Sequence, residues 1–279
     1  MPSVSPWLPL HPSKSLALGD SRLQLHHAAQ FATALGISFL HPKPDDSHTN
    51  LGWEPRHESL CSRPVPGPQG QVQAAVRPRD LTLLVVIDGT IKRQIPVHGL
   101  TVSQAEAGLC DAVTAAGLDG RRLTMKRHYD IPAHPVAGGE PFDSGASDEF
   151  AQLASWYSNA ATLLDELRNR IGGDEVRCWP HHFDIATLAT IAPGRTSGAG
   201  MLPGDDHLPE PYFYVNAYPP PPAERATALL QGGGRWNTEG WFGAVLPGSH
   251  LSTDPAAQPS QIRSFLNSAF DACASLLRS

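Results

Sequence analysis

Acidic and imidazole side chains gather in two short stretches of this chain. The first is CWPHHFDIATL, residues 178 to 188, with His181, His182 and Asp184 inside an otherwise apolar run. Read as one continuous strand, it alternates. His182 and Asp184 then share a face with Cys178 and Ala186, while His181 lies with Trp179 and Phe183 on the other. That i, i+2 spacing suits two metal ligands, or a hydrogen-bonded histidine–carboxylate pair. Pro180 argues for an edge position or a bulge.

The second stretch is LPGDDHLPEPYFYVNAYP, residues 202 to 219. It sets Asp205, Asp206, His207 and Glu210 in a turn stiffened by Pro203, Gly204, Pro209 and Pro211. Stiff loops suit preorganised sites. His182, Asp184, Asp205, His207 and Glu210 together supply enough nitrogen and oxygen ligands for a divalent metal such as Zn²⁺, Mn²⁺ or Fe²⁺. Such a metal would activate water for hydrolysis. The competing reading gives these groups hydrogen-bonding roles, as is the rule for buried polar atoms.

Two further clusters mix carboxylates with aromatics. DDSHTNLGWEP carries Asp45, Asp46, His48, Trp53 and Glu54, and GGGRWNTEGWFG carries Trp236, Asn237, Glu239 and Trp241. An aromatic face packs on the apolar face of a sugar ring, and amides and carboxylates read its hydroxyls. For a bound small polar ligand, the sequence nominates Trp179, His182, Asp184, Tyr212, Tyr214, Trp236 and Glu239. Several templates are missing: there is no GxGxxG after a strand, no GxxxxGK[ST], no GxSxG and no HExxH. No residue is marked as a catalytic nucleophile.

The surrounding elements must position these groups. In 279 residues, 41% hydrophobic and 17% charged, a packed core is expected rather than disorder. A net charge of -6 without a basic stripe argues against nucleic acid as a partner. Four scattered cysteines read as free thiols. MPSVSPWLPLHPSKSLALGD lacks the pattern of a signal peptide, and no apolar run approaches a membrane span, so a cytoplasmic location without a membrane partner is expected.

Four helices are predicted. The first runs from Ser21 to Leu35, with SRLQ as a capping box and Gly36 as its stop. The second opens with a capping box at Thr101–Gln104 and ends at Gly117. The third runs from Ser147 to Gly172, and the fourth covers PSQIRSFLNSAFDACASLL. LTLLVVIDG and TIKRQIPVHG form a hairpin turning at Asp88–Gly89. EVRCWPHHFDIATLA, YFYVNAYP and GWFGAVLPGSH are the later strands. Residues 56 to 80 and the stretch PPPPAERATALLQGGGRW read mostly as loop.

The segments LHHAAQFATALGIS, SHTNLGWEP, LTLLVVIDG…IPVHGLTVSQ, WPHHFDIATL and PGDDHLPEPYFYVNAYPPP occur in that order. In them the chain resembles an uncharacterised bacterial family, domain of unknown function 5996. The resemblance covers most of the chain and implies no known activity.

The expected fold is α+β, with antiparallel sheets covered by helices in a duplicated αβββα unit. Residues 1–135 and 136–279 would be the two halves of one compact body. The leading functional expectation is a small polar ligand in a cleft between the halves. The alternatives are a metal-dependent hydrolase-like enzyme using the His/Asp/Glu cluster, and a non-catalytic interaction protein. Oligomeric state is left open.

Overall fold

In the computed structural model, described over residues 7–278, the chain is α+β, with antiparallel sheets and four long helices. Residues 1–6, which open the stretch read as lacking a signal peptide, lie outside the described residues. The chain divides into two compact units, and residue 135 lies inside one of them. An N-terminal unit comprises Asp20–Ala154 and Cys178–Phe183. A C-terminal unit comprises Met1–Gly19, Ser155–Arg177 and Asp184–Ser279. No helix among the described residues is long and apolar enough to cross a membrane.

The N-terminal unit begins with α1 (Gly19–Phe39). This helix starts before the expected capping box, so Ser21 lies inside it and its hydroxyl donates to Glu149 at 2.6 Å. It also passes through Gly36 rather than stopping there. A β-carbon at Gly36 would stand 2.4 Å from the His48 carbonyl oxygen, so this glycine serves a close approach of backbone to helix. Nearly every side chain from Gln24 to Gly36 is buried, including Gln24, His26, His27, Gln30 and Thr33.

Six strands follow: β1 (Gly52–Glu54), β2 (Ser59–Cys61), β3 (Val65–Gly67), β4 (Gly70–Arg77), β5 (Thr82–Ile87) and β6 (Thr90–Pro96). They order as β1-β2-β4-β5-β6, with β3 paired to β4. The segment read as loop therefore holds three strands. Its short apolar pieces, Ser59–Cys61 and Val72–Val76, gain ladder partners and burial that local pattern cannot register. The β5/β6 turn is as expected, with positive φ at both Asp88 (47°) and Gly89 (74°), as a primed hairpin turn requires. Helix α2 (Val102–Ala115) carries the full Thr101–Gln104 capping box.

After α2 and a single 3-10 turn at Gly120–Arg122, the chain crosses back along α1 without further helix or strand. Its residues 122–134 run antiparallel to that helix. Thr124 N donates to Ser38 Oγ (2.9 Å), Tyr129 donates to Gln30 Oε1 (2.9 Å), the Pro132 carbonyl meets His27 Nε2 (3.0 Å), and His134 meets Asp20 (3.0 Å). The anchors on α1 descend from residue 38 to residue 20, so this strap follows the helix for most of its length.

In the C-terminal unit, α3 (Ser147–Ile171, of which Ser155 onward belongs here) and α4 (Gln258–Arg278) flank the second sheet. Between them in the chain come β7 (Arg177–Trp179, of which only Arg177 belongs to this unit), β8 (Asp184–Ala192), β9 (Arg195–Leu202), β10 (Tyr212–Asn216), β11 (Arg235–Asn237) and β12 (Gly243–Pro247). Strands β11-β12-β10-β9-β8 are neighbours in that order. Each half of the sequence thus runs helix, six strands, helix, where three strands were expected.

Register divides the second sheet into two faces. Ile185, Met201, Phe213 and Leu246 form one buried cross-strand row, and Trp156 of α3 packs on Phe213 at 5.8 Å. The other face carries the row Ala186, Gly200, Tyr214, Val245 and Arg235.

Buried amides fasten the N-terminal segment to this unit. Asn159 exchanges two hydrogen bonds with the Leu8 backbone (3.1 and 2.7 Å). Gln258, fully buried, accepts from Trp7 Nε1 and Leu10 N (3.1 Å each) and donates to Leu10 O (2.7 Å) and Ser252 O (2.9 Å). Gln258→Ala strands several of these groups and is expected to cost about 2–3 kcal/mol in urea unfolding.

Candidate functional site

The open face of the second sheet concentrates the polar and aromatic groups. Tyr212, Tyr214 and Asn216 alternate along β10, so all three point to this face, away from Phe213 and Val215. Glycines lie opposite and beside them. A β-carbon at Gly200 would stand 2.7 Å from the Tyr214 ring and hydroxyl, and one at Gly198 would stand 2.8 Å from Asn216 Oδ1. At Gly243 it would stand 2.3 Å from the Trp241 ring. Tyrosine, asparagine and tryptophan therefore lie flat over a floor of missing side chains.

Laid across Gly200, Tyr214 reaches β8, where its hydroxyl donates to Asp184 Oδ2 at 2.5 Å. Tyr212, 6.4 Å away ring to ring, donates to Asp205 Oδ2 at 2.7 Å. Asp205 Oδ1 accepts from the His207 and Leu208 amides (2.8 and 2.7 Å), which shapes the loop. Trp241 meets Tyr214 edge-on at 6.2 Å. Asn237 holds Trp241 in place by donating to the Glu239 and Trp241 carbonyls. Asp184 and Tyr212 are buried, while Tyr214 keeps an accessible edge. Farther along the face, Leu188 is 44% exposed and Thr190 is exposed too. Burial of the Tyr214 hydroxyl, then the Asp184 charge and its hydrogen bond, push this phenol well above its usual range. It stays protonated and acts as a donor.

Of the expected ligand-binding residues, this face brings together Asp184, Tyr212 and Tyr214. Trp236 points the other way. It pairs with Ala244, which pairs with Val215 on the helix-covered side, and its ring packs on Phe242 at 5.4 Å. Glu239 is exposed at the loop tip. Trp241, Asn216 and the glycines were not nominated as ligand contacts, although the alternating glycines of SGAGM opposite YFYVN were a legible sign.

Trp179 and His182 belong to the N-terminal unit, and the continuous strand expected over 176–186 is interrupted. Residues 180–183 form a turn closed by Phe183 N donating to Trp179 O at 2.7 Å, with Phe183 at φ +63°. The alternation that placed His182 and Asp184 on one strand face therefore fails. Pro180 starts the break, and a left-handed residue resets the direction. His181 does pack edge-on against Trp179 (6.2 Å), but the Phe183 ring stacks on His26 at 4.6 Å.

The expected metal ligands are engaged separately. Asp184 and Asp205 each accept a hydrogen bond from a phenol, and Glu210 accepts from Ser249 N (2.6 Å) and Oγ (2.8 Å). His182 and His207 are exposed. Among the described residues no three His, Cys, Asp or Glu side chains are grouped as a metal ion requires. The Asp45–Glu54 cluster disperses as well: Asp46 faces His128 at 3.1 Å, and Glu54 pairs with Arg56.

A second polar region lies on α1. His26 Nε2 and Gln30 Nε2 both meet the Pro180 carbonyl, at 2.8 and 3.1 Å. Burial lowers the His26 pKa to about 3, so this ring is neutral and its Nε2 carries the donated proton. His27 is also lowered, first by burial.

No family model matches this chain, and neither a curated protein nor a solved structure matches it.

Proposed function

We propose that the protein binds a small, hydroxyl-rich polar ligand on the open face of its C-terminal sheet. The observation that carries this reading is the flat placement of Tyr214 and Trp241 over Gly200 and Gly243, with the Asp184 carboxylate and the Asn216 amide beside them. Aromatic faces stack on the apolar side of a ring, and carboxylate and amide groups meet its hydroxyls. A phenol held in its neutral form and a carboxylate already accepting from it favour recognition over proton abstraction. Nothing in the geometry favours the metal-dependent hydrolase over this reading. The resemblance to domain of unknown function 5996 and descent from a duplicated unit belong to the same proposal. The helix–strands–helix order of each half supports the second.

Calorimetry with a panel of mono- and disaccharides and polyols tests the reading. Saturable binding to the wild type is expected, weakened about tenfold or more in Tyr214→Phe, which keeps the ring and removes the hydroxyl that holds Asp184 in place. Absence of saturable binding across the panel, or full affinity in Tyr214→Phe, would overturn it.

A further inference from the structure

The strap along α1 carries a half-buried cation, Arg127, that no side chain among the described residues answers. Arg127 lies between the Thr124 and Tyr129 anchors, and its Nε–H is buried with no hydrogen-bond acceptor. No carboxylate among the described residues forms an ion pair with its guanidinium. Its charge instead acts on His26 and His27, and the Arg22 charge acts on His26 as well. The carboxylates that meet the strap are engaged elsewhere: Asp20 by Gln24 (2.9 Å) and His134 (3.0 Å), and Asp46 by His128 (3.1 Å). His26 and His27 each direct Nε2 at a backbone carbonyl, and neither ring accepts the Arg127 Nε–H.

A buried, unanswered N–H costs the full desolvation of that group. A guanidinium is the side chain whose planar fork fits an oxyanion, and low dielectric strengthens that contact. We propose that the N-terminal unit binds a small oxyanion, a phosphate or carboxylate group, at Arg127, where the strap lies against the second half of α1 between its Thr124 and Tyr129 anchors. The site is separate from the sheet-face reading and does not depend on it.

Thermal unfolding of the full chain at constant ionic strength tests this, with inorganic phosphate in one series, succinate in a second and sodium chloride in a control. Wild type is expected to show a saturable rise in Tm with phosphate, succinate or both, above the chloride control. The series that saturates identifies the anion. Arg127→Gln should abolish the saturable component while its far-UV circular dichroism stays native. Arg127→Lys, which keeps the charge without the fork, should fold in any case and shift the midpoint to at least about tenfold higher anion concentration. The proposal fails if neither anion gives a saturable rise, or if Arg127→Lys and Arg127→Gln respond as the wild type does.

Discussion

Between pH 6.5 and pH 5 the protein is expected to lose about 2 kcal/mol of stability through His26 alone. In the folded state this ring titrates only near pH 3, because burial disfavours the imidazolium. In the unfolded chain it titrates near 6.5. Between those values the unfolded state holds a proton that the folded state lacks, so stability falls as pH falls, by about 1.4 kcal/mol per pH unit. The effect is absent above pH 6.5 and complete near pH 3, where it approaches about 5 kcal/mol. Urea titrations at pH 7.5, 6.0 and 5.0 measure the slope. His26→Gln removes the titrating group and retains an amide able to reach the Pro180 carbonyl. Its stability should be lower at pH 7.5, since the stack on Phe183 is lost, but should decline less steeply toward pH 5. An unchanged slope in that variant would assign the acid sensitivity elsewhere, with His27 the next group to examine.

Gly200→Ala is expected to destabilise the C-terminal unit by about 1–3 kcal/mol, and to do so through Tyr214. The new methyl would need the space the tyrosine ring occupies, with 2.7 Å separating them before relaxation. Overpacking of this size forces a side chain off its rotamer or the backbone to shift. Tyr214 can yield only by lifting its hydroxyl away from Asp184, which leaves a buried carboxylate oxygen without its donor. Combining Gly200→Ala with Tyr214→Phe separates the two terms. If the tyrosine bond carries the cost, the double variant loses clearly less than the sum of the single variants. Strict additivity would mean that the glycine is needed for its backbone alone.

The residues that could be read directly were those whose structure is decided within a few positions. Thr101 and Gln104 form their capping box, Asp88–Gly89 turns the hairpin, and Gly117 and Gly172 follow the ends of their helices in the left-handed region. Elements defined by distant partners were not legible. Strands β2 and β3 are three residues each and exist because β1 and β4 supply their neighbours. The site divided along the same line. Tyr212 and Tyr214, nominated together as ligand contacts, share one face because β10 is regular. Alternation along CWPHHFD fails, because one residue with φ +63° breaks the period. Trp236 and Trp241 are five positions apart and end on opposite sides of the sheet, an outcome set by the turn that Asn237 holds.

The strap along α1 changes what cutting this chain would do. Residues 122–134 have neither helix nor strand beyond a single-turn end, and exposed Lys126 precedes Arg127, a sequence that trypsin recognises. A protease must draw an extended segment into its cleft, and here the chain is pinned on one side by the Thr124 amide on Ser38 and on the other by the Tyr129 hydroxyl on Gln30. Cleavage therefore waits on local opening, at a rate set by those anchors rather than by exposure. A single nick between them would leave both new ends tied to α1 at separate points, so the scar would sit in a unit that still holds together.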